Sequence, residues 1–202
     1  HLIGPETYVT ASQKLHGTSL RVGRLAVEQP QKWWERLFKR PVRSEYVPVI
    51  GSRRVVKFAG EVREGEHWYG TDNDVWTEAG LPIAELLPKD TVVYAEIIGW
   101  AGTKPIQPNY TYRVPPGEFR VYVYRVTVGG FDLGWEAMNT FCEERGLSVV
   151  RTLWRGLHKD FEVDRWLGTK YVESGFRDAV PLDPKSPSDE GVCIRAEGLV
   201  PT

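Results

Sequence analysis

Residues 14–19 of the chain read Lys14-Leu15-His16-Gly17-Thr18-Ser19, and the fold prediction starts from this stretch. β-Branched and aromatic residues predict a strand on each side of it, at Tyr8–Thr10 and at Leu20–Val22. The residues between the strands are typical of a turn, and Gly17 would let a ligand approach the backbone closely. A lysine in such a turn can project into a cleft as a nucleophile, and the alternative is a surface lysine in a hairpin turn.

Further strands and helices are indicated along the rest of the chain. The segments that predict strands are Val47–Ile50, Val55–Phe58, Thr91–Ile98 and Phe119–Val128. The segments that predict helices are Gln31–Lys39, Asp74–Leu87 with an interruption at Gly80–Pro82, Gly134–Glu144 and Glu162–Leu167. Strands outnumber helices without regular alternation, so we predict an α+β domain with antiparallel sheets.

The composition is that of an ordinary globular protein. Of the 202 residues, 41% are hydrophobic and 26% are charged, and the net charge is −1. The sequence has no apolar run of the ~20 residues that cross a bilayer, and no signal peptide. Its two cysteines, Cys142 and Cys193, exclude a disulfide framework and a cysteine-rich zinc site. We expect a cytoplasmic monomer without a membrane partner, whose nucleic-acid surface, if it has one, is local.

Two carboxylates lie in or beside strongly apolar segments. Glu96 lies within Val92–Trp100, and Glu190 precedes Gly191 in the segment Asp189–Arg195. A carboxylate inside an apolar strand is costly unless it is paired or binds a ligand, so Glu96 is a candidate for binding ribose hydroxyls or a metal. The alternative is an edge strand in which Glu96 faces water.

An arginine pair supplies candidates for phosphate binding. Arg53 and Arg54 lie two and three residues after Gly51, and arginine suits bidentate phosphate binding, although the pair also fits a solvated charged loop. Together with a bound metal, the arginines offer the positive field that would lower the pKa of Lys14. With Glu96 and Glu190 they make a metal-assisted nucleotide site plausible.

Aromatic residues supply candidates for stacking on bases. In Phe119–Val128, alternation places Tyr122 and Tyr124 on one face, where either tyrosine stacks on a base or packs within the sheet. The segment Gln31–Arg43 carries five basic residues against one acidic residue, with two tryptophans and a phenylalanine between them. That composition suits contact with nucleic acid, and it also fits an amphipathic helix whose apolar side packs on the body of the protein.

The order of these segments resembles the motifs of the covalent nucleotidyltransferases, the superfamily of DNA ligases, RNA ligases and mRNA capping enzymes. The resembling segments, in chain order, are Lys14–Gly17, Ser52–Arg53, Glu96–Gly99, the aromatic strand Phe119–Val128 and Glu190–Val192. Most DNA ligases and capping enzymes have Asp at the position of His16. A histidine at this position is similar to the phage-type RNA ligases that seal nicked duplex RNA. The resemblance runs from Lys14 to Arg195.

The resemblance implies catalytic roles for four residues. Lys14 would carry AMP as a phosphoramide, and Arg53 would contact nucleotide phosphate or the nicked end. Glu96 would bind ribose or organise the metal, and Glu190 would bind the divalent metal.

It also implies binding roles for neighbouring residues. Tyr124 would stack on adenine, or Tyr122 if the register differs by two. His16 and Ser19 match family positions near the phosphates and the polynucleotide, and Ser19 replaces the Asn or Arg expected there. Gly17 belongs to the nucleophile motif and is also a candidate for binding the nucleotide.

The implied fold is a ligase-type nucleotidyltransferase domain over residues 1–202, with two antiparallel sheets and flanking helices around an ATP cleft. The implied activity is that of an ATP-dependent RNA ligase for RNA repair, which uses Mg²⁺ or Mn²⁺ and joins a 5′-phosphate to a 3′-hydroxyl, preferably in a nicked duplex. The alternatives are an ATP-dependent DNA ligase core and a nucleic-acid-binding domain of the same fold that has lost catalysis. Because the family's final motif has two lysines and no lysine follows Lys185, we expect a core that lacks its end and seals poorly.

Overall fold

The computed structural model describes residues 3–28, 43–59 and 74–197. Within these ranges the chain forms ten β-strands and two α-helices, so the α+β prediction is confirmed. The predicted helix Gln31–Lys39 lies outside the described residues, and so does the basic segment Gln31–Arg43 apart from Arg43 itself.

The strands form two antiparallel sheets, as predicted. In chain order they are β1 (Tyr8–Gln13), β2 (Thr18–Glu28), β3 (Ser44–Gly51), β4 (Val56–Ala59), β5 (Thr91–Ala101), β6 (Lys104–Pro105), β7 (Phe119–Val128), β8 (Phe131–Asp132), β9 (Thr152–Leu157) and β10 (Val192–Ala196). The large sheet has the order β4-β3-β2-β5-β7-β8, with β6 beside β5, and the small sheet has the order β10-β1-β9. Each of these neighbouring pairs is antiparallel.

The chain passes from the small sheet to the large sheet at residues 14–17. β1 pairs with β9 and β10, whereas β2 pairs with β3 and β5. The hairpin-turn alternative for Lys14 is therefore wrong, because the strands of a hairpin pair with each other. The predicted turn is also two residues too long, because Thr18 and Ser19 already belong to β2.

β5 is an interior strand of the large sheet, between β2 and β7. Val93, Ala95 and Ile97 are fully buried on one face of it. Glu96 alternates with them and lies on the opposite face, where it is partly buried. The edge-strand alternative for Glu96 is therefore wrong, and its carboxylate lies in the middle of a sheet.

The two α-helices are α1 (Val75–Leu86) and α2 (Trp135–Glu143), close to the predicted bounds. Asp74 caps α1 by accepting a hydrogen bond from Thr77 N at 3.2 Å. The predicted interruption at Gly80–Pro82 is wrong, because α1 continues through Pro82.

Packing against the large sheet explains why α1 continues. The helix lies on β2 and β3 and buries Trp76 and Ile83. A Cβ atom on Gly80 would come within 2.5 Å of Ile50 Cγ2, so the glycine lets the helix approach the sheet closely. Burial of this apolar face offsets the local cost of a proline inside a helix, which is about 3 kcal/mol.

The helix predicted at Glu162–Leu167 is a short 3₁₀ turn, Val163–Trp166. Trp166 is 2% exposed and belongs to a second apolar cluster beside the small sheet. Its ring lies 4.7 Å from the ring of Phe176 and 5.8 Å from the ring of Tyr171. Burial of Trp166 among these rings accounts for a tight turn in place of a regular helix.

Candidate active site

A cavity of about 450 Å³ lies where the two sheets meet. Residues from β1 and β10 line it on one side, and residues from β2, β5 and β7 line it on the other. The lining residues are Ser12, Gln13, Lys14, Leu15, His16, Gly17, Ser19, Arg21, Arg53, Glu96, Tyr124, Val150, Glu190 and Cys193. The structure thus brings together eight of the residues that the sequence singles out as site candidates, namely Lys14, His16, Gly17, Ser19, Arg53, Glu96, Tyr124 and Glu190.

Lys14 forms an ion pair with Glu190 inside this cavity. Lys14 Nζ donates a hydrogen bond to Glu190 Oε1 at 2.5 Å, and His16 Nδ1 lies 3.4 Å from Glu190 Oε2. The backbone also joins the two segments, because Lys14 N donates to Gly191 O at 2.9 Å. Residues that are 176 positions apart in the sequence are therefore held side by side.

The ion pair raises the pKa of Lys14 above its usual range. The main cause is the hydrogen bond to Glu190, which exceeds the opposing effect of burial. In this arrangement the nearest charge to the amine is a carboxylate, and the lowering of this pKa by Arg53, Arg54 and a bound metal stays a prediction. Arg53 lines the cavity, whereas Arg54, also among the described residues, does not.

Gly17 holds the turn against β5. Its amide donates to Glu96 Oε1 at 3.1 Å, and its carbonyl accepts from Gln107 Nε2 at 3.0 Å. A Cβ atom at this position would lie 2.1 Å from Ile97 O, which is backbone and cannot rotate away. A glycine is therefore required here by close approach.

Replacement of Gly17 by alanine is expected to destabilise the protein by about 3 kcal/mol, because the added methyl group forces β2 and β5 apart. Gly134→Ala is the matched control, since a Cβ atom there meets nothing within 4 Å, and its expected cost is below about 1 kcal/mol. Urea unfolding of both variants measures the difference. Equal losses of unfolding free energy would show that the close approach at Gly17 carries no cost.

Burial raises the pKa of Glu96 to about 7. The hydrogen bond from Gly17 N opposes this shift, the charge of Glu190 adds to it and the charge of Lys14 opposes it. Ionisation of Glu96 is therefore coupled to folding, because the unfolded carboxyl titrates near its ordinary value of 4.5.

This coupling predicts a pH-dependent stability. Between pH 4.5 and 7 the folded protein holds a proton on Glu96 that the unfolded chain has lost, so stability present below pH 4.5 is lost as the pH rises through 7. Glu96→Gln still offers Gly17 N an acceptor and cannot ionise. As the pH rises over this range, the unfolding free energy of the variant should increase relative to that of the wild type by up to roughly 3 kcal/mol. Urea titrations in metal-free buffer test this, and parallel pH curves for the two proteins would contradict it.

Tyr124, rather than Tyr122, lines the cavity among the residues that the structure describes. The register of β7 against β5 shifts by one residue between Tyr94 and Ala95, so strict alternation fails at this point. The hydroxyl oxygen of Tyr124 is 3.5 Å from Ser19 Oγ. Tyr122 is 9% exposed and belongs to the hydrophobic core.

Several cavity residues were missed at the level of sequence. Arg21 lies two positions after Ser19 on β2, so alternation from Ser19 would have indicated it. Gln13 gives no such signal. Its side-chain amide donates to Asp189 Oδ1 at 2.8 Å and accepts from Val180 N at 2.7 Å, which fixes the segment before Glu190.

The described residues contain no cluster of three or more His, Cys, Asp or Glu side chains arranged for a metal ion. Glu96 and Glu190 both line the cavity, however, and carboxylate oxygens are ligands that Mg²⁺ and Mn²⁺ prefer. Mg²⁺ commonly binds through one or two carboxylates together with substrate phosphates and water. The donor set therefore fits a metal that arrives with a nucleotide.

Two antiparallel sheets with a lysine and two glutamates in the cavity between them define a nucleotidyltransferase-type domain. The family model described as RNA ligase matches residues 7–200. The chain therefore belongs to the RNA ligase family. No curated protein matches its sequence significantly.

Solved structures of a Naegleria gruberi RNA ligase share the fold. A variant of that ligase with ATP and manganese has a TM-score of 0.55 at 11% identity, covering 95% of this chain and 46% of that one. The ligase with pyrophosphate has a TM-score of 0.52 at 13% identity, covering 95% and 47%. A variant with AMP and manganese has a TM-score of 0.55 at 12% identity, covering 96% and 47%. The chain thus spans less than half the length of these ligases.

Of the helices in the described ranges, none is long and apolar enough to cross a bilayer.

Proposed function

We propose that residues 1–202 form the adenylyltransferase domain of an ATP-dependent RNA ligase and that Lys14 carries AMP. The observation that carries this proposal is the position of Lys14 Nζ in a cavity that Arg53, Glu96, Tyr124 and Glu190 also line. Membership of the RNA ligase family supports RNA as the polynucleotide. The Naegleria ligase structures with ATP, AMP and pyrophosphate support the same nucleotide chemistry for this fold.

In the first step, Lys14 Nζ attacks the α-phosphorus of ATP. A phosphorus–nitrogen bond forms, the bond to the β-phosphate oxygen breaks, pyrophosphate leaves and the amine loses a proton. Such a transfer depends mainly on positioning and on neutralising negative charge. Arg53 contributes a guanidinium that binds phosphate, and Tyr124 contributes a ring against adenine.

In the second step, a 5′-phosphate oxygen of RNA attacks the phosphorus of the bound AMP, the phosphorus–nitrogen bond breaks, and Lys14 takes up a proton and leaves as the free amine. In the third step, a 3′-hydroxyl loses its proton and attacks the RNA 5′-phosphorus, the phosphodiester forms, the bond from that phosphorus to the AMP oxygen breaks and AMP leaves. A nicked duplex is the substrate that we propose, because it presents both ends side by side.

Glu96 and Glu190 are the residues that would hold a divalent cation. When bound, Mg²⁺ or Mn²⁺ supplies positive charge to the phosphates. The pKa of Lys14 is raised while Glu190 accepts its hydrogen bond. A change of partner at Glu190, such as a bound cation, would remove this hydrogen bond and with it the main cause of the raised pKa.

Incubation of the purified chain with ATP and Mn²⁺, followed by intact-protein mass measurement and peptide mapping, tests the proposal. The expected result is one AMP on Lys14, labile in acid and stable in base, as a phosphoramide should be. A chain that takes up no AMP would instead be a nucleic-acid-binding domain of the same fold. Sealing assays on nicked RNA, DNA and hybrid duplexes separate an RNA ligase from a DNA ligase, because the 2′-hydroxyl is the local chemical difference.

We also propose that the protein is a cytoplasmic monomer that acts in RNA repair. Both cysteines, the buried Cys142 and the exposed Cys193, are free thiols, which fits a reducing compartment. Sedimentation of the purified chain tests the monomer directly.

A further inference from the structure

The loop of residues 106–114, which follows β6, contacts two segments beside the cavity. They are the turn of residues 14–17, called the Lys14 turn, and the segment that precedes Glu190. Gln107 Nε2 donates to Gly17 O at 3.0 Å, and the hydroxyl of Tyr112 accepts from His16 N at 2.6 Å. On the other side, the hydroxyl of Tyr110 donates to Ser188 O at 3.2 Å, two residues before Glu190. The loop therefore joins the Lys14 turn to the segment that carries Glu190.

The backbone of this loop is unusual for the residues that form it. Asn109, Tyr112 and Arg113 have φ angles of 64°, 55° and 58°. Asparagine tolerates this left-handed region, but the bulky Tyr112 and Arg113 adopt it one after the other at a cost. The surrounding structure must therefore hold them there.

Asp183 supplies most of that restraint. Its carboxylate accepts hydrogen bonds from Thr111 N at 2.5 Å, from Thr111 Oγ1 at 2.9 Å and from Arg113 N at 2.8 Å. Arg113 Nε also donates to the carbonyl of Leu182 at 2.8 Å. Hydrogen bonds to a carboxylate are stronger than neutral ones, so one side chain fixes both neighbours of Tyr112. Asp183 itself is not among the described residues that line the cavity.

We propose that Tyr112 is a positioning residue for the Lys14 turn and that Asp183 acts through Tyr112. This inference rests on the proposed function of Lys14. Tyr112 is 1% exposed, so water does not readily replace its hydroxyl as the acceptor for His16 N. The bonds to His16 N and Gly17 O fix the backbone two and three residues after the nucleophile. A displacement of about 1 Å at a nucleophile costs on the order of 100-fold in rate.

The test compares Tyr112→Phe with Tyr171→Phe. Tyr171 is also 1% exposed, and its hydroxyl donates to Trp166 O at 3.0 Å, away from the cavity. Both variants lose one buried hydroxyl and should lower the unfolding midpoint by similar amounts. Only Tyr112→Phe should reduce the limiting single-turnover rate constant (kcat for this step) of lysyl–AMP formation, by about 10-fold or more. The ATP concentration that gives half of this rate (KM) should change less than about twofold. A merely structural role would move both variants alike.

Amide hydrogen exchange provides a second readout that needs no activity. The His16 amide should exchange about 10-fold faster or more in Tyr112→Phe than in the wild type, and at the wild-type rate in Tyr171→Phe. Asp183→Ala should speed the same amide, and Asp183→Asn, which keeps one carbonyl oxygen, should have a smaller effect.

The outcomes separate the positioning inference from the function on which it rests. An unchanged His16 amide in Tyr112→Phe, or an unchanged kcat beside a normally adenylylated wild type, overturns the positioning role and leaves the proposed function intact. A wild type that takes up no AMP overturns both the proposed function and the effect of Tyr112 on the rate of AMP transfer.

Discussion

Replacement of Lys14 by arginine is expected to abolish lysyl–AMP formation. Arginine keeps a positive charge beside Glu190, to which Lys14 Nζ now donates at 2.5 Å. It cannot supply a neutral amine, however, because guanidinium stays protonated throughout the accessible pH range. Intact-protein mass after incubation with ATP and Mn²⁺ should therefore show no gain of AMP at any pH at which the variant is folded.

Lys104→Arg is the matched control for this variant. Lys104 is an exposed residue of β6, outside the cavity lining, and its replacement should leave adenylylation unchanged. Lys14→Arg should also retain the third step, because joining of RNA that already carries a 5′-adenylate needs no nucleophilic lysine. AMP found on another lysine, such as Lys57 or Lys104, would overturn the assignment of Lys14.

Replacement of Glu190 by alanine is expected to slow lysyl–AMP formation by about 100-fold or more, equivalent to a barrier increase of about 2.7 kcal/mol. Glu190 is the partner of Lys14 and one of the two cavity carboxylates that suit a divalent cation. Without Glu190 the cavity would hold the cation less tightly, so less positive charge would oppose the charge of the phosphates in the reaction. Single-turnover adenylylation across a series of Mn²⁺ concentrations measures the rate and its metal dependence.

Two further variants show which property of Glu190 matters. Glu190→Gln keeps a hydrogen-bond acceptor for Lys14 but carries no charge, so it should be nearly as slow as Glu190→Ala if the carboxylate holds metal. Glu173→Ala removes an exposed carboxylate whose partner is Lys170 at 3.6 Å, and it should have no effect. Adenylylation of Glu190→Ala at the wild-type rate would show that the assigned role of Glu190 is wrong.

The candidate residues could be named from the sequence because their segments, in chain order, resemble the motifs of a known superfamily, although most of these segments are ordinary when taken alone. Glu96 interrupts an apolar strand, and Lys14 lies beside a glycine between two strands. The resemblance implied a common site, and eight of the candidates line one cavity, whereas Arg54 and Tyr122, which the structure also describes, do not. Their chemical roles remain predictions.

Contacts between distant segments were not predictable in the same way. The bond from Gln13 to Asp189 and the bond from His16 N to Tyr112 join residues that are 176 and 96 positions apart. No periodicity links such positions. The same limit applies to Pro82. The unfavourable free energy of a proline inside a helix can be expected from the sequence, but the packing of α1 on the large sheet that offsets it depends on the assembled fold.

The change of sheet at residues 14–17 makes the position of the Lys14 amine depend on both sheets. Lys14 N is bonded to Gly191 O at the end of the small sheet, and Gly17 N is bonded to Glu96 in the large sheet. Loosening of either layer therefore displaces the same amine. Transfer of AMP to Lys14 should report on the integrity of both layers at once, so thermal inactivation will follow whichever sheet opens first.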